Sequence, residues 1–247
     1  MFPDLTTDQW LLAVLGAFCV GFAKAGFSGV GLVTVVVMAK LFPPKESTGV
    51  LLPILICGDV LSVLAFHQHA RWVLIRRMLP PTVVGIVLGY FCMKWLPGSS
   101  FGPVIGAVVL VMAIVQLVRQ LGFLKRIPHS WKFAWGMGMW SGVSTMLANA
   151  AGPVMALYFL ALDVPKFVLV GTSAWFFLIV NVLKVPFSAN LGLITRSSLL
   201  FNLVLFPVVA LGIYAGRSLI RLIPQKLFEL LLLGFATLAA LRLMGAI

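Results

Sequence analysis

"GFAKAGFSGVGLV", residues 21–33, interrupts an apolar run with one lysine, Lys24, and four glycines. A hydrophobic segment that carries a charge and several helix-weakening residues is either a packed helix interface or a deliberate break in a helix. The surroundings narrow the choice. The 247-residue chain is 62% hydrophobic and 10% charged, with a mean hydropathy of +1.12. A soluble domain needs far more polar surface. Apolar runs such as 104–118 and 199–215 recur along nearly the whole length, which marks a polytopic membrane protein. The short alternating segments of a transmembrane barrel are absent, so the fold class is an all-α bundle.

The net charge of +12 would point to nucleic acid in a soluble protein. Here the basic residues fall mostly between apolar runs and serve as loop anchors. No basic, aromatic-rich polar domain exists to bind nucleic acid. Cys19, Cys57 and Cys92 lie within apolar runs, a poor basis for a disulfide framework. Asp4 and Asp8 stand where a signal peptide would be basic, so the first apolar run is expected to be a retained membrane segment.

Ten hydrophobic segments are expected, at 9–25, 27–41, 47–66, 78–96, 101–119, 133–148, 150–162, 167–187, 197–215 and 226–244. A full span needs about twenty residues, and 27–41 and 150–162 fall short. Each follows its predecessor without a real loop, so 9–41 and 133–162 read as broken hairpins that return the chain to the side it left. With the N-terminus outside, Arg71, Arg76, Arg77, Arg119, Lys125, Arg126, Lys132, Lys166, Arg217, Arg221 and Lys226 lie inside, eleven of the eighteen basic residues. Lys40, Lys45, Lys94, Arg196 and Arg242 lie outside with Asp4, Asp8 and Glu46. The positive-inside bias favours this orientation.

The two halves superimpose as sequences. "GLVTVVVMAKLFPPKES" (31–47) aligns with "GPVMALYFLALDVPKFV" (152–168) at an offset of 121, and "GVLLPILICGDVLSV" (49–63) with "GTSAWFFLIVNVLKV" (171–185) at 122. Gly31 meets Gly152, Pro44 meets Pro165, Lys45 meets Lys166, Gly49 meets Gly171 and Asp59 meets Asn181. Lys45 is outside and Lys166 inside, so the halves run in opposite senses. The expectation is two inverted repeats, 1–128 and 129–247, each a broken-helix hairpin plus three transmembrane helices. Inverted repeats with interrupted helices at the midplane are a secondary-transporter architecture.

The chain resembles the sulfite exporter family, TauE/SafE. The likeness rests on "GFAKAGFSGVG", on the "PPKES"-like turn opening the next helix, and on "ANAAGPVMALYFLALDVPKFVLVGTSAWFFLIVN". It covers nearly the whole chain, and its motifs are loose. It implies a bacterial inner-membrane permease for small sulfur-containing anions such as sulfite, sulfonates and related organic anions. It does not fix the substrate.

The polar residues of the apolar segments are the expected site. Gly26, Gly29 and Gly31 let the chain break and a ligand approach its amides; a helix beginning near Ser28–Gly31 would turn its N-terminal N–H groups to the break, which attracts anions. Asn149, Ala150, Ala151 and Gly152, ahead of Pro153 in a first helical turn, form the counterpart. Close packing by small residues is the competing reading. Lys24 either supplies a cation to the substrate or snorkels to the interface. Asp59 is a deep acid; it could pair with Lys24 or Lys184, or take up a proton and couple transport. Asn181 is its repeat mate, and Lys184 follows on the same helix face. These three either couple transport or structure the site. Thr172 and Ser173 line the anion path or cap a helix, and Ser144 and Thr145 carry the same ambiguity.

"HQH" (67–69) is weak support for a metal without a nearby acid or thiol. No cofactor is implied, and no catalytic set or phosphate-binding loop appears. The expected partners are a small anion, protons as a coupling ion, and the lipid bilayer; a homo-oligomer is compatible with the sequence. An anion channel and a membrane-embedded enzyme remain as alternative functions.

Overall fold

The computed structural model of the chain describes residues 5–27, 29–121, 131–162 and 164–219, with scattered positions between 234 and 246. The described residues are mostly helical, with no strand among them. The helices are α1 (Thr7–Lys24), α2 (Val30–Leu41), α3 (Pro44–Phe66), α4 (Trp72–Trp95), α5 (Phe101–Gln120), α6 (Trp131–Ala148), α7 (Gly152–Ala161), α8 (Lys166–Asn190) and α9 (Arg196–Leu219). Most of the expected tenth segment, 226–244, and the expected boundary at 128 lie outside the described residues.

The helices follow the expected segments except at some ends. α4 begins at Trp72, not 78, so Arg76 and Arg77 sit within its first two turns rather than in a loop. A helix continues past the hydrocarbon if its outer turns carry residues that water accepts. α8 and α9 run on to Asn190 and Leu219 for the same reason. α3, α4, α5, α8 and α9 are each long and apolar enough to cross a membrane. α2, at 12 residues, reaches about 18 Å and α7, at 10, about 15 Å, well short of a hydrocarbon core about 30 Å thick. α2 lies antiparallel on α1: Thr34 Oγ1 donates to the Gly16 carbonyl at 3.2 Å, and Ala23 faces Gly31.

Large apolar side chains point outward along the long helices, including Leu64, Leu203, Leu211 and Val73. Such a surface suits acyl chains. Trp72, Trp95 and Trp131 are exposed at helix ends, where amphipathic rings settle at a membrane–water boundary.

Small residues set the packing. α1 lies parallel to α9, and a Cβ at Gly21 would strike the Val209 carbonyl while one at Gly212 would strike that of Phe18. α4 lies parallel to α6, and Gly142 meets the Thr82 carbonyl as Gly85 meets that of Met139. These crossings bring backbones together, the mode by which membrane helices associate without a hydrophobic driving force. Gly21 and Gly142 stand 121 residues apart, as Gly31 and Gly152 do. α3 and α8 form an antiparallel central pair: Gly49 abuts Leu193, Asp59 touches Asn181, and Gly171 abuts Phe66.

Candidate functional site

Both hairpins break where the sequence loses its helix formers. α1 ends at Lys24, and Gly26 follows with φ of 115°, a conformation an L side chain rarely adopts. α6 ends at Ala148, and Asn149 takes φ of 52°, the left-handed region that Asn tolerates better than most residues. α2 and α7 then begin at Val30 and Gly152. The first amides of a helix have no partner inside it. Those of Gly31 and Gly152, at the starts of α2 and α7, lie at the cavity wall.

The two breaks open on one cavity of about 300 Å³. Of the sequence-expected residues, Lys24, Gly26, Gly31, Asn149, Ala150, Gly152, Ser173 and Asn181 line it, with Thr145 beside them. Gly29 is turned away, toward Gln116 of α5. Ser28 lies outside the described residues. Thr172 is buried off the cavity, where its hydroxyl accepts from the Arg71 backbone N–H at 3.0 Å. Ser144 is also off it, bonded to the Ser141 carbonyl of its own helix. Sequence reading missed Ser62, Thr34 and Phe177, which line the cavity. Ser62 lies three residues after Asp59, and Phe177 four before Asn181, the spacing that puts side chains on one helix face.

Behind the wall is a continuous polar cluster. Lys24 Nζ meets Asp59 Oδ1 at 2.5 Å and sits 4.8 Å from the centre of the Phe177 ring. It therefore does not reach for the membrane surface. The Asp59 side chain is fully buried; its other oxygen accepts from Asn181 Nδ2 at 2.7 Å. Lys184, 2% exposed, donates to Asn149 Oδ1 at 2.5 Å, Thr145 Oγ1 at 3.2 Å and Asn181 Oδ1 at 3.3 Å. Asn149 in turn donates to the Thr48 carbonyl at 2.9 Å, tying the second break to α3. Ser62 Oγ donates to the Lys24 carbonyl at 3.2 Å, tying α3 to the first break. Each hairpin tip is thus held by the central helix pair.

The remaining lining is apolar: Val20, Leu32, Val35, Leu51, Leu55, Val164, Leu169 and Val170. A cation, side-chain amide donors and helix N-terminal amides on an apolar wall can hold an anion that also carries a hydrocarbon part. No group of three or more His, Cys, Asp or Glu side chains gathers among the described residues; the His69 ring lies tilted against Phe167, with centroids 5.6 Å apart.

The sequence model of the sulfite exporter TauE/SafE family matches residues 13–243. The chain belongs to this family. Its members are transporters, membrane permeases that export sulfite and sulfonates. Neither a curated protein nor a solved structure matches the chain. The chain is a multi-pass membrane protein on two independent grounds, its family and the five long apolar helices among the described residues.

Proposed function

We propose that this chain exports a small sulfur-containing anion by alternating access, and that an organosulfonate suits it better than bare sulfite. The observation that carries this reading is the convergence of both helix breaks on one cavity that also holds Lys24. Sulfite has four heavy atoms and no apolar part. A cavity of about 300 Å³ with a largely aliphatic wall would leave it loosely held, whereas a sulfonate places its charged head at Lys24 and the amides and its carbon chain on the wall.

Alternating access draws on the inverted repeat. Gly21 in the crossing of α1 on α9 and Gly142 in that of α6 on α4 stand at the repeat offset of 121, and the antiparallel α3–α8 pair meets at Asp59 and Asn181, which are repeat mates. Two such halves can rock about the central pair and open the cavity to either side. The charge distribution supports an N-terminus outside, and the family supports the bacterial inner membrane.

The test is exchange in liposomes. Purified protein loaded with unlabelled ethanesulfonate should show saturable counterflow of the labelled anion, and Lys24→Ala should weaken it at least tenfold through KM. Flux without counterflow would indicate a channel; wild-type flux in Lys24→Ala would remove the site.

A further inference from the structure

The cluster holds two lysines and one carboxylate. Lys24 is matched by Asp59. Lys184 forms no ion pair among the described residues; its partners are three neutral oxygens. A buried ammonium without a counter-charge is expensive, and such a group loses its proton or gains an anion.

The three oxygens serve either state. An ammonium has three N–H donors and no lone pair, so it gives one hydrogen bond to each. A neutral amine has two N–H donors and one lone pair. The amide oxygens of Asn149 and Asn181 accept from the two donors, and the Thr145 hydroxyl, which both donates and accepts, turns its proton to the lone pair. No heavy atom has to move between the two. Lys24 has no such freedom, because its partner is a carboxylate. All three Lys184 partners also line the cavity, so its nitrogen lies one hydrogen bond behind the wall. The charged groups facing it are Lys24 from α1 and Asp59 from α3. From α6 and the break after it come Thr145 and Asn149, which are neutral, and on α4 the Tyr90 hydroxyl donates to Asn190, well along α8.

We propose that Lys184 is the proton carrier of this transporter: it is an amine when the cavity is empty and an ammonium when an anion is bound. The inference rests on the cavity being the substrate site. In the empty state Lys24 and Asp59 cancel and the cluster is neutral. One proton joins the Lys184 nitrogen as one monovalent anion enters, and the cluster is neutral again. The proton leaves from the same nitrogen when the anion leaves on the far side. Transport of a monovalent sulfonate is then electroneutral, one proton moving with each anion. Export runs when the anion's own gradient exceeds any opposing proton gradient. Lys184 acts through charge, not by touching substrate, and is a coupling and positioning residue.

Liposome transport of ethanesulfonate tests this. With voltage clamped, a pH difference of one unit should let wild-type protein accumulate the anion about tenfold on the alkaline side, the ratio for one proton per anion. Imposing a voltage should not change the ratio. In Lys184→Gln and Lys184→Met, slower counterflow should persist while the ratio falls to about one. If wild-type protein shows counterflow but no pH-driven accumulation, or if the variants still accumulate, the proposal is overturned. If neither variant inserts, Thr145→Val decides: it keeps the lysine but removes the adaptable hydroxyl, and accumulation should drop severalfold with exchange retained; an unchanged ratio overturns the proposal. Absence of any wild-type counterflow would instead strike the substrate-site reading.

Discussion

The first and second halves carry different charges at positions that align in sequence. At matching positions Lys24 faces Thr145, Asp59 faces Asn181 and Ser62 faces Lys184. The first half is an ion pair, closed on itself. The second is a single lysine in a ring of neutral oxygens. The Asp59–Asn181 hydrogen bond joins them across the central helices. On the proposed inverted repeat, a symmetric frame carries an asymmetric charge pattern, with one half fixed and the other free to change state. If the halves do different work, equivalent substitutions should give unequal effects in the polar cluster and equal effects in the frame.

The largest effect is expected at Asp59. Asp59→Asn leaves Lys24 at the cavity wall without its fully buried counter-ion, a loss of about 3–5 kcal/mol for a broken buried pair. Sulfonate counterflow should fall roughly 100-fold and thermal stability in detergent should drop. The double variant Lys24→Met/Asp59→Asn should recover part of the stability but none of the transport. If the double variant is no more stable than Asp59→Asn, the pair is not the closed unit described above.

Next come the glycine crossings, which test the frame. Gly21→Ala and Gly142→Ala each drive a methyl group into a facing carbonyl. Each should cost about 1–3 kcal/mol by overpacking, and the two costs should match, as their matching contacts demand. Gly136→Ala, with nothing within 4 Å of the added methyl, should be close to neutral or slightly stabilising. A large gap between Gly21→Ala and Gly142→Ala in thermal unfolding would break the equivalence of the two crossings.

The frame was far more legible in the sequence than the cluster. Apolar runs locate spans because each stretch reports its own burial in lipid, and the breaks show themselves through Gly26 and through Asn149–Pro153. The start of α4 was hidden because Arg76 and Arg77 look like a loop when solvent and headgroups cannot be told apart. In the cluster, Asp59 had two lysines to choose from, and only packing selects Lys24. The three oxygens around Lys184 come from α6, its break and α8, up to 39 residues away, and no local pattern announces such a meeting. Thr172 and Ser173 are adjacent and chemically alike, and the sequence offered no means to separate them.

That pair supplies the smallest and most discriminating test. Ser173 lines the cavity, while the Thr172 hydroxyl accepts a hydrogen bond from the Arg71 amide on the turn before α4. Thr172→Val keeps the shape and leaves one backbone N–H without its acceptor, so it should cost about 1–2 kcal/mol of stability. It should leave the KM for ethanesulfonate within about twofold of wild type, since the hydroxyl is off the cavity wall. Ser173→Ala should do the reverse: stability within about 0.5 kcal/mol of wild type, with KM raised severalfold by loss of one hydrogen bond to the sulfonate. The two residues differ by one position on one helix, so differences in expression or insertion affect them alike. An exchange of these two outcomes would mean that the wall is drawn on the wrong face of α8, and the cavity reading would fall with it.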